Sequence, residues 1–180
     1  LQPGQDLIVV GLGGVGMAAI LTGRAITNSS GGRVIGIDSN AAKHEAAVDL
    51  GADAAYTPEE AISLGITAPV VVEAAGHARA FETAFAVTAP GGVTVTAGLP
   101  APGALSQIPP LAVTAEARTI VGSYLGSAVP ARDSPIFEAL WRSGALPAEK
   151  LITATIALDD VNEAMDVLEA GDAVRQMIVF

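Results

Sequence analysis

The sequence predicts an α/β fold: a doubly wound, parallel six-stranded sheet with helices on both faces, extended by a C-terminal α/β tail. Three observations carry that prediction. Short apolar runs rich in β-branched residues alternate with stretches of helical spacing along residues 1–125, the rhythm of a parallel sheet built from strand–helix units. Just over half of the residues are hydrophobic (51%) but only 4% are aromatic. Ala, Val and Gly must therefore fill the core, which suits strands covered on both faces by close-packed helices. Finally, the first strand-to-helix passage carries glycines in the pattern G-x-G-x-x-G, at Gly11, Gly13 and Gly16.

Asp6 to Val10 reads as the first buried strand, stopping at Gly11. Apolar positions then take helical spacing at Val15, Ala18, Ala19 and Ala25, with Met17, Ile20 and Leu21 widening the face. A glycine loop in this setting is the signature of a dinucleotide site. Gly11 permits the tight turn, Gly13 lets a pyrophosphate approach the backbone, and Gly16 lets helix and strand pack closely. The helix adds free N–H groups and about half a positive charge at its start.

Asn28-Ser29-Ser30-Gly31-Gly32 breaks the chain before a second strand, Arg33 to Asp38. Asp38 follows Gly16 at close to the ~20 residues expected of a carboxylate that binds the adenosine ribose. A helix N-cap is the alternative, since Asp38, Ser39 and Asn40 all suit it; with the glycine loop upstream, ribose binding is preferred. An acid there would repel a 2′-phosphate, so NAD is expected over NADP. A helix is expected over Ala41–Leu50, stopped by Gly51. Within it Lys43 either reaches the same ribose or is simply solvated, and His44 reads as an exposed helix residue.

Ala52 to Tyr56 is a short third strand, and Pro58-Glu59-Glu60 opens a helix with proline and acids in its first turn. Pro69 to Gly76 is the fourth strand, apolar on both faces until Glu73. His77, at its carboxyl edge, either lines the adenine or nicotinamide side of the site or starts the next helix. With no partner acid near it in sequence, the helix start is preferred. That helix is expected over Ala80–Ala89, ended by Pro90-Gly91-Gly92. Val93 to Gly98 is the fifth strand, a loop carrying Pro100, Pro102, Pro109 and Pro110 follows, and Arg118 to Leu125 is the sixth strand. In the tail, residues 126–180, a helix starts at Ser134-Pro135 and closes at Gly144. A strand follows over Leu151–Leu158, then a helix from Asp159 to Gly171 and a last strand from Arg175 to Phe180.

Composition narrows the function. Nineteen acidic against nine basic side chains give a formal charge of −10, which argues against a nucleic-acid or anionic-membrane surface. No apolar run approaches the roughly 18 residues a spanning helix needs. Cysteine is absent and His44 and His77 are the only histidines, so a disulfide framework and a zinc site of Cys and His are both out of reach. A reducing, cytoplasmic location fits. The chain starts at Leu1, close to the first strand, and is expected to be a piece of a longer protein.

The chain resembles the coenzyme domain and C-terminal tail of zinc-dependent alcohol dehydrogenases, in the medium-chain dehydrogenase/reductase superfamily. The matching segments are GLGGVG at 11–16, IGID with Lys43 beyond it, LGAD at 50–53, VVVEAAG at 70–76, PGG at 90–92 and AGLP at 97–100. ARTIVGSYLGS at 117–127 and the ending LDDVNEAMDVLEAGDAVRQMIVF match too, so the resemblance runs the whole length in order. It implies a Rossmann domain over 1–125 that binds NAD(H). Gly13, Gly14 and Val15 would hold the pyrophosphate, and Asp38 and Lys43 the adenosine ribose. Ala74, Ala75 and Gly76 would line the cleft. The backbone around Gly98 and Leu99, and at Ser123, Tyr124 and Leu125, would hold the nicotinamide carboxamide. Arg175 would reach back to the pyrophosphate.

The resemblance also implies what is not here. In the family a separate N-terminal, GroES-like domain carries the catalytic zinc, and residues 126–180 pack on it. The implied reaction is hydride transfer between an alcohol or aldehyde and NAD in the whole protein, with this chain alone inactive and no catalytic residue or metal ligand of its own. The edge strand at 118–124 is expected to pair two copies into a homodimer. Two rivals are an NADPH-dependent, zinc-free quinone or enoyl reductase domain and a non-catalytic, NAD-binding redox-sensing domain.

Overall fold

The computed structural model describes all 180 residues. Six parallel strands form one sheet in the order β3-β2-β1-β4-β5-β6. They are β1 (Leu7–Val10), β2 (Val34–Ile37), β3 (Ala54–Tyr56), β4 (Ala68–Glu73), β5 (Thr88–Thr96) and β6 (Thr119–Gly122). The order reverses between β1 and β4, the switch point beside which open α/β sheets bind ligands, outside the carboxyl ends of their strands. The expected doubly wound fold is met.

Alternation along β1 divides the core in two. Leu7 and Val9 point to one face, where α1 (Gly14–Thr27) packs with Met17, Ile20 and Leu21 against Val34 and Leu50. Ile8 and Val10 point to the other, against Ile35, Ile37, Val71 and Ala84 beneath α3 (Pro58–Ser63) and α4 (Ala78–Ala86). Each such buried aliphatic side chain contributes about 1.5–3 kcal/mol. The first core reaches into the tail: Leu146 and Leu151 are buried in it, and Leu140 and Val174 pack on it. The chain beyond Gly126 is thus seated on the α1 side of the sheet. Within this tail Ile136, Phe137, Trp141, Met165 and Leu168 are exposed.

Several boundaries differ from those expected from the sequence. Ala41–Lys43 is a 3₁₀ turn that precedes α2 (His44–Asp49), because the Asn40 side chain caps it by accepting the Ala42 N–H at 3.0 Å. β4 ends at Glu73, so Ala74 to Gly76 are loop and not strand. The fourth helix stops at Ala86 rather than Ala89, and Pro90-Gly91-Gly92 lies inside β5. The cause is Thr88, whose buried hydroxyl donates to the Ala84 carbonyl at 2.7 Å and meets the Thr94 hydroxyl at 2.6 Å. Strand pairing thereby begins at Thr88, and Ala89 to Gly92 form an irregularity in the register with β4.

The proline-bearing loop holds a short helix, α5 (Pro110–Ala115), with proline at its first position. β6 ends at Gly122, short of Leu125. α6 (Pro130–Arg142) starts four residues before Ser134 and keeps Pro135 inside it. Pro130 suits the first position, and Asp133 accepts the Val129 N–H at 2.8 Å, which fixes the earlier start. Leu151 belongs to a 3₁₀ turn, and the strand after it is only β7 (Ala154–Ile156). It pairs in parallel with β8 (Gln176–Ile178) across α7 (Val161–Ala170).

Candidate functional site

The glycine loop joins β1 to α1 at the carboxyl edge of the sheet. Gly11 takes φ +93, and a Cβ there would meet the Ala75 backbone nitrogen at 2.6 Å. At Gly16 a Cβ would fall 1.8 Å from the Gly11 carbonyl oxygen, so only glycine lets the helix sit this close to the strand. Gly13 differs, because nothing lies within 4 Å of the Cβ it lacks. That open cradle stands at the N-cap of α1, where no side chain satisfies the first N–H groups. Val15, in the first turn, is 57% exposed.

The tail closes over this helix start. A Cβ on Gly14 would lie 3.2 Å from the Val174 carbonyl oxygen and 3.8 Å from a guanidinium nitrogen of Arg175. Arg175 takes part in none of the six ion pairs of the molecule. Its charge therefore faces the same space as the free N–H groups, an arrangement suited to a phosphate. Thr153 holds it there, its hydroxyl oxygen accepting the backbone N–H groups of Val174 at 2.8 Å and Arg175 at 3.3 Å.

Asp38 follows β2 and is tied on both oxygens, Oδ2 accepting the Leu12 N–H at 2.7 Å and Oδ1 the Asn40 N–H at 2.8 Å. Lys43 Nζ stands 4.0 Å from Oδ2. On its other side, a Cβ at Gly171 would lie 3.7 Å from that Nζ, at the carboxyl end of α7 where the helix dipole favours a cation. His44 is no bystander on the helix surface: its Nε2 lies 2.9 Å from the Asp38 carbonyl oxygen, so that nitrogen carries the proton. His77 caps α4, its Nδ1 accepting the Arg79 N–H at 3.3 Å.

Further along the edge, the loops after β4 and β5 are locked together. A Cβ on Gly76 would meet the Leu99 backbone at 2.7 Å, and one on Gly98 would meet the Gly76 nitrogen at 2.1 Å. Ala74 donates its N–H to the Val10 carbonyl and Ser123 donates to that of Thr96. The chain after β6 turns through Leu125 at φ +57, leaving Tyr124 and Leu125 exposed.

Three cavities run along this edge. One of about 870 Å³ lies between Gly13, Gly14, Lys43 and Val174. A second of about 700 Å³ lies beside Gly11, Asp38 and Ala75. The third, about 470 Å³, is lined by Gly98, Leu99, Ser123 and Tyr124. The structure thus gathers Gly11 to Gly16, Asp38, Lys43 and Arg175 at one end and Gly98, Leu99 and Ser123 to Leu125 at the other, with Ala74 to Gly76 between them, packed on Gly11 and on Leu99.

Asn40 takes the N-cap role the sequence offers for it, whereas sequence reasoning misses Thr153 and, above all, Glu73. The signal for Glu73 is a lone charge closing an otherwise apolar strand.

The zinc-binding dehydrogenase family model matches residues 14–142, well over half the chain. The chain belongs to that family. Over its whole length it is 34% identical to geraniol dehydrogenase of Castellaniella defragrans, covering 49% of that protein. Over 97% of its length it is 32% identical to alcohol dehydrogenase 2 of Solanum lycopersicum, covering 48%. The fold matches that of benzyl alcohol dehydrogenase from Acinetobacter calcoaceticus with a TM-score of 0.90 at 21% identity, over 98% of this chain and 50% of that one. This zinc-binding dehydrogenase chain therefore spans about half the length of the curated relatives it matches.

The residues of this family member fit a dinucleotide: an open glycine, a free guanidinium at a helix start and a carboxylate one strand away. They do not fit zinc, since cysteine is absent and no three His, Cys, Asp or Glu side chains gather where they could hold a metal ion. No helix is long and apolar enough to cross a membrane.

Proposed function

We propose that this chain is the NAD(H)-binding half of an alcohol-oxidising dehydrogenase. The observation that carries the reading is Asp38. Its carboxylate is held beside the glycine loop by Leu12 and Asn40, where it can accept a ribose hydroxyl and would repel a 2′-phosphate. Gly13, Gly14 and Val15 present backbone N–H groups to the pyrophosphate, Arg175 adds its charge, and Gly11 and Gly16 keep that helix start in place. Lys43 holds the ribose with Asp38. Ala74, Ala75 and Gly76 line the cleft, and the backbone of Gly98, Leu99, Ser123, Tyr124 and Leu125 orients the carboxamide. When bound, the nicotinamide supplies a hydride acceptor or donor.

The Lewis acid and proton relay of the reaction belong to protein outside these residues, so this chain alone binds cofactor without turning over alcohols. The whole enzyme acts on an alcohol or aldehyde, in the cytoplasm, as a homodimer paired through the edge of β6.

Titration with NADH and NADPH tests the cofactor reading. NADH binding tightly and NADPH weakly is the expected result. Tighter NADPH binding would favour the quinone or enoyl reductase reading instead. Alcohol oxidation by this chain above a zinc-and-buffer control would overturn the claim that it is incomplete.

A further inference from the structure

Glu73 is 1% exposed and sits at the end of a strand whose neighbours are all apolar. No lysine or arginine pairs with it. A buried carboxyl group without a cation persists only if hydrogen bonds satisfy it. Here its Oε1 accepts the backbone N–H groups of Ala75 and Gly76, both at 2.8 Å. Its Oε2 accepts the Thr96 hydroxyl at 2.8 Å. The backbone carbonyl of the same residue accepts the N–H groups of Ala97 at 2.8 Å and Gly98 at 3.2 Å. One residue therefore fastens the loop after β4 to the loop after β5.

We infer that Glu73 is a positioning residue for the nicotinamide end of the cofactor, an inference that rests on the cofactor reading above. Its partners are Thr96 at the end of β5 and residues of the two loops beside the cavity of about 470 Å³. None belongs to the glycine loop, to Asp38 or to Arg175. The space between the loops is already minimal, for a Cβ at Gly98 would stand 2.9 Å from Glu73 Oε1. Without that oxygen, Ala75 and Gly76 lose the acceptor that fixes their peptide planes, and Gly98 and Leu99, packed on Gly76, lose their reference. Asp38, Lys43 and Arg175 keep every contact they have, and the glycine loop meets this region only where Gly11 packs on Ala75.

The acceptor oxygen, and not the charge, does the positioning. Glutamine at this position keeps one oxygen for the two loop N–H groups and turns its amide toward the Thr96 hydroxyl, which can accept as well as donate.

The test measures the affinity of the 180-residue chain for NADH and for ADP-ribose, which lacks the nicotinamide. Glu73→Ala is expected to weaken NADH binding about tenfold or more while leaving ADP-ribose within about twofold, and Glu73→Gln to restore NADH binding. Should Glu73→Ala fail to fold by circular dichroism, Thr96→Val takes its place in the same titrations, with a smaller loss confined to NADH expected. A parallel loss of both ligands, no loss of either, or failure of glutamine to restore NADH binding would overturn the inference. So would equal affinity of the unaltered chain for the two ligands. If that chain bound neither, the cofactor reading itself would fall.

Discussion

The Asp38 carboxylate accepts the amide N–H of Leu12 at 2.7 Å, joining the end of β2 to the middle of the glycine loop. One side chain thus orders the loop and stands at the position proposed to select the cofactor. Asp38→Asn retains an acceptor for Leu12 but removes the charge. NADH affinity is expected to fall about tenfold, and NADPH affinity to rise as the repulsion disappears. Paired titrations of the two cofactors check this, and an unchanged preference would remove Asp38 from the selection.

Arg175 has no ion-pair partner to lose, so its removal costs the fold little. Arg175→Ala is expected to leave the melting temperature within a degree or two while weakening NADH and ADP-ribose alike. A charge-assisted hydrogen bond to phosphate contributes about 1.5–3 kcal/mol, or roughly 10- to 150-fold in affinity. A melting temperature that drops with no change in affinity would make Arg175 a purely structural tie of the tail.

Gly13 and Gly16 invite opposite outcomes from the same substitution. Gly16→Ala drives a methyl group to 1.8 Å from the Gly11 carbonyl oxygen, and about 3 kcal/mol or more of stability is expected to be lost. Gly13→Ala meets nothing within 4 Å and has the extended φ of −91° that alanine accepts. It should fold as before yet lose cofactor affinity, since its methyl group occupies the space proposed for the pyrophosphate. Urea unfolding and NADH titration of the two variants separate the roles.

Much of this architecture is legible because the strands are short, apolar and separated by strong breakers. Val34–Ile37 after the Asn28–Gly32 cluster is the plainest case. The boundary between α4 and β5 is not. Gly91 and Gly92 look like a helix stop, but the hydroxyls of Thr88 and Thr94 meet only once the sheet exists, and that tertiary bond decides where the strand starts. α5 is hidden for a related reason: Pro109 and Pro110 signal a break, and only the second of them opens a helix. At the candidate site, spacing points to Asp38, but the ties of Glu73 to two separate loops are invisible until β4 and β5 lie side by side.

Acid stability should depend on Asp6. Burial pushes its carboxyl up, but hydrogen bonds from the Arg33 side chain and backbone, with that residue's charge, outweigh burial and hold it below the ordinary value. Its Oδ1 accepts the Arg33 N–H at 2.8 Å and its Oδ2 the guanidinium at 2.6 Å, where β1 and β2 begin. A carboxyl depressed in the folded state stabilises fully above the unfolded value, near 3.9, and loses that contribution as pH falls through the folded value. Arg33 is 63% exposed, so screening limits the pair to about 1 kcal/mol at most. Melting curves from pH 7 to pH 2.5 should show Asp6→Asn less stable at neutral pH and converging on the unaltered chain in acid.

The free edge of the sheet bears on assembly. All four residues of β6 are exposed, with Ile120 at 40% and Val121 at 44%, and no strand covers their outer backbone groups. Unpaired edges of this kind recruit another strand, and two copies related by a two-fold axis satisfy both edges at once. The chain is expected to form dimers in light scattering at high concentration. Val121→Lys should shift it to monomer without lowering NADH affinity, because the residues proposed to hold the cofactor lie at the carboxyl ends of the strands. Monomers alone, for the unaltered chain at every concentration, would remove β6 as a self-association surface.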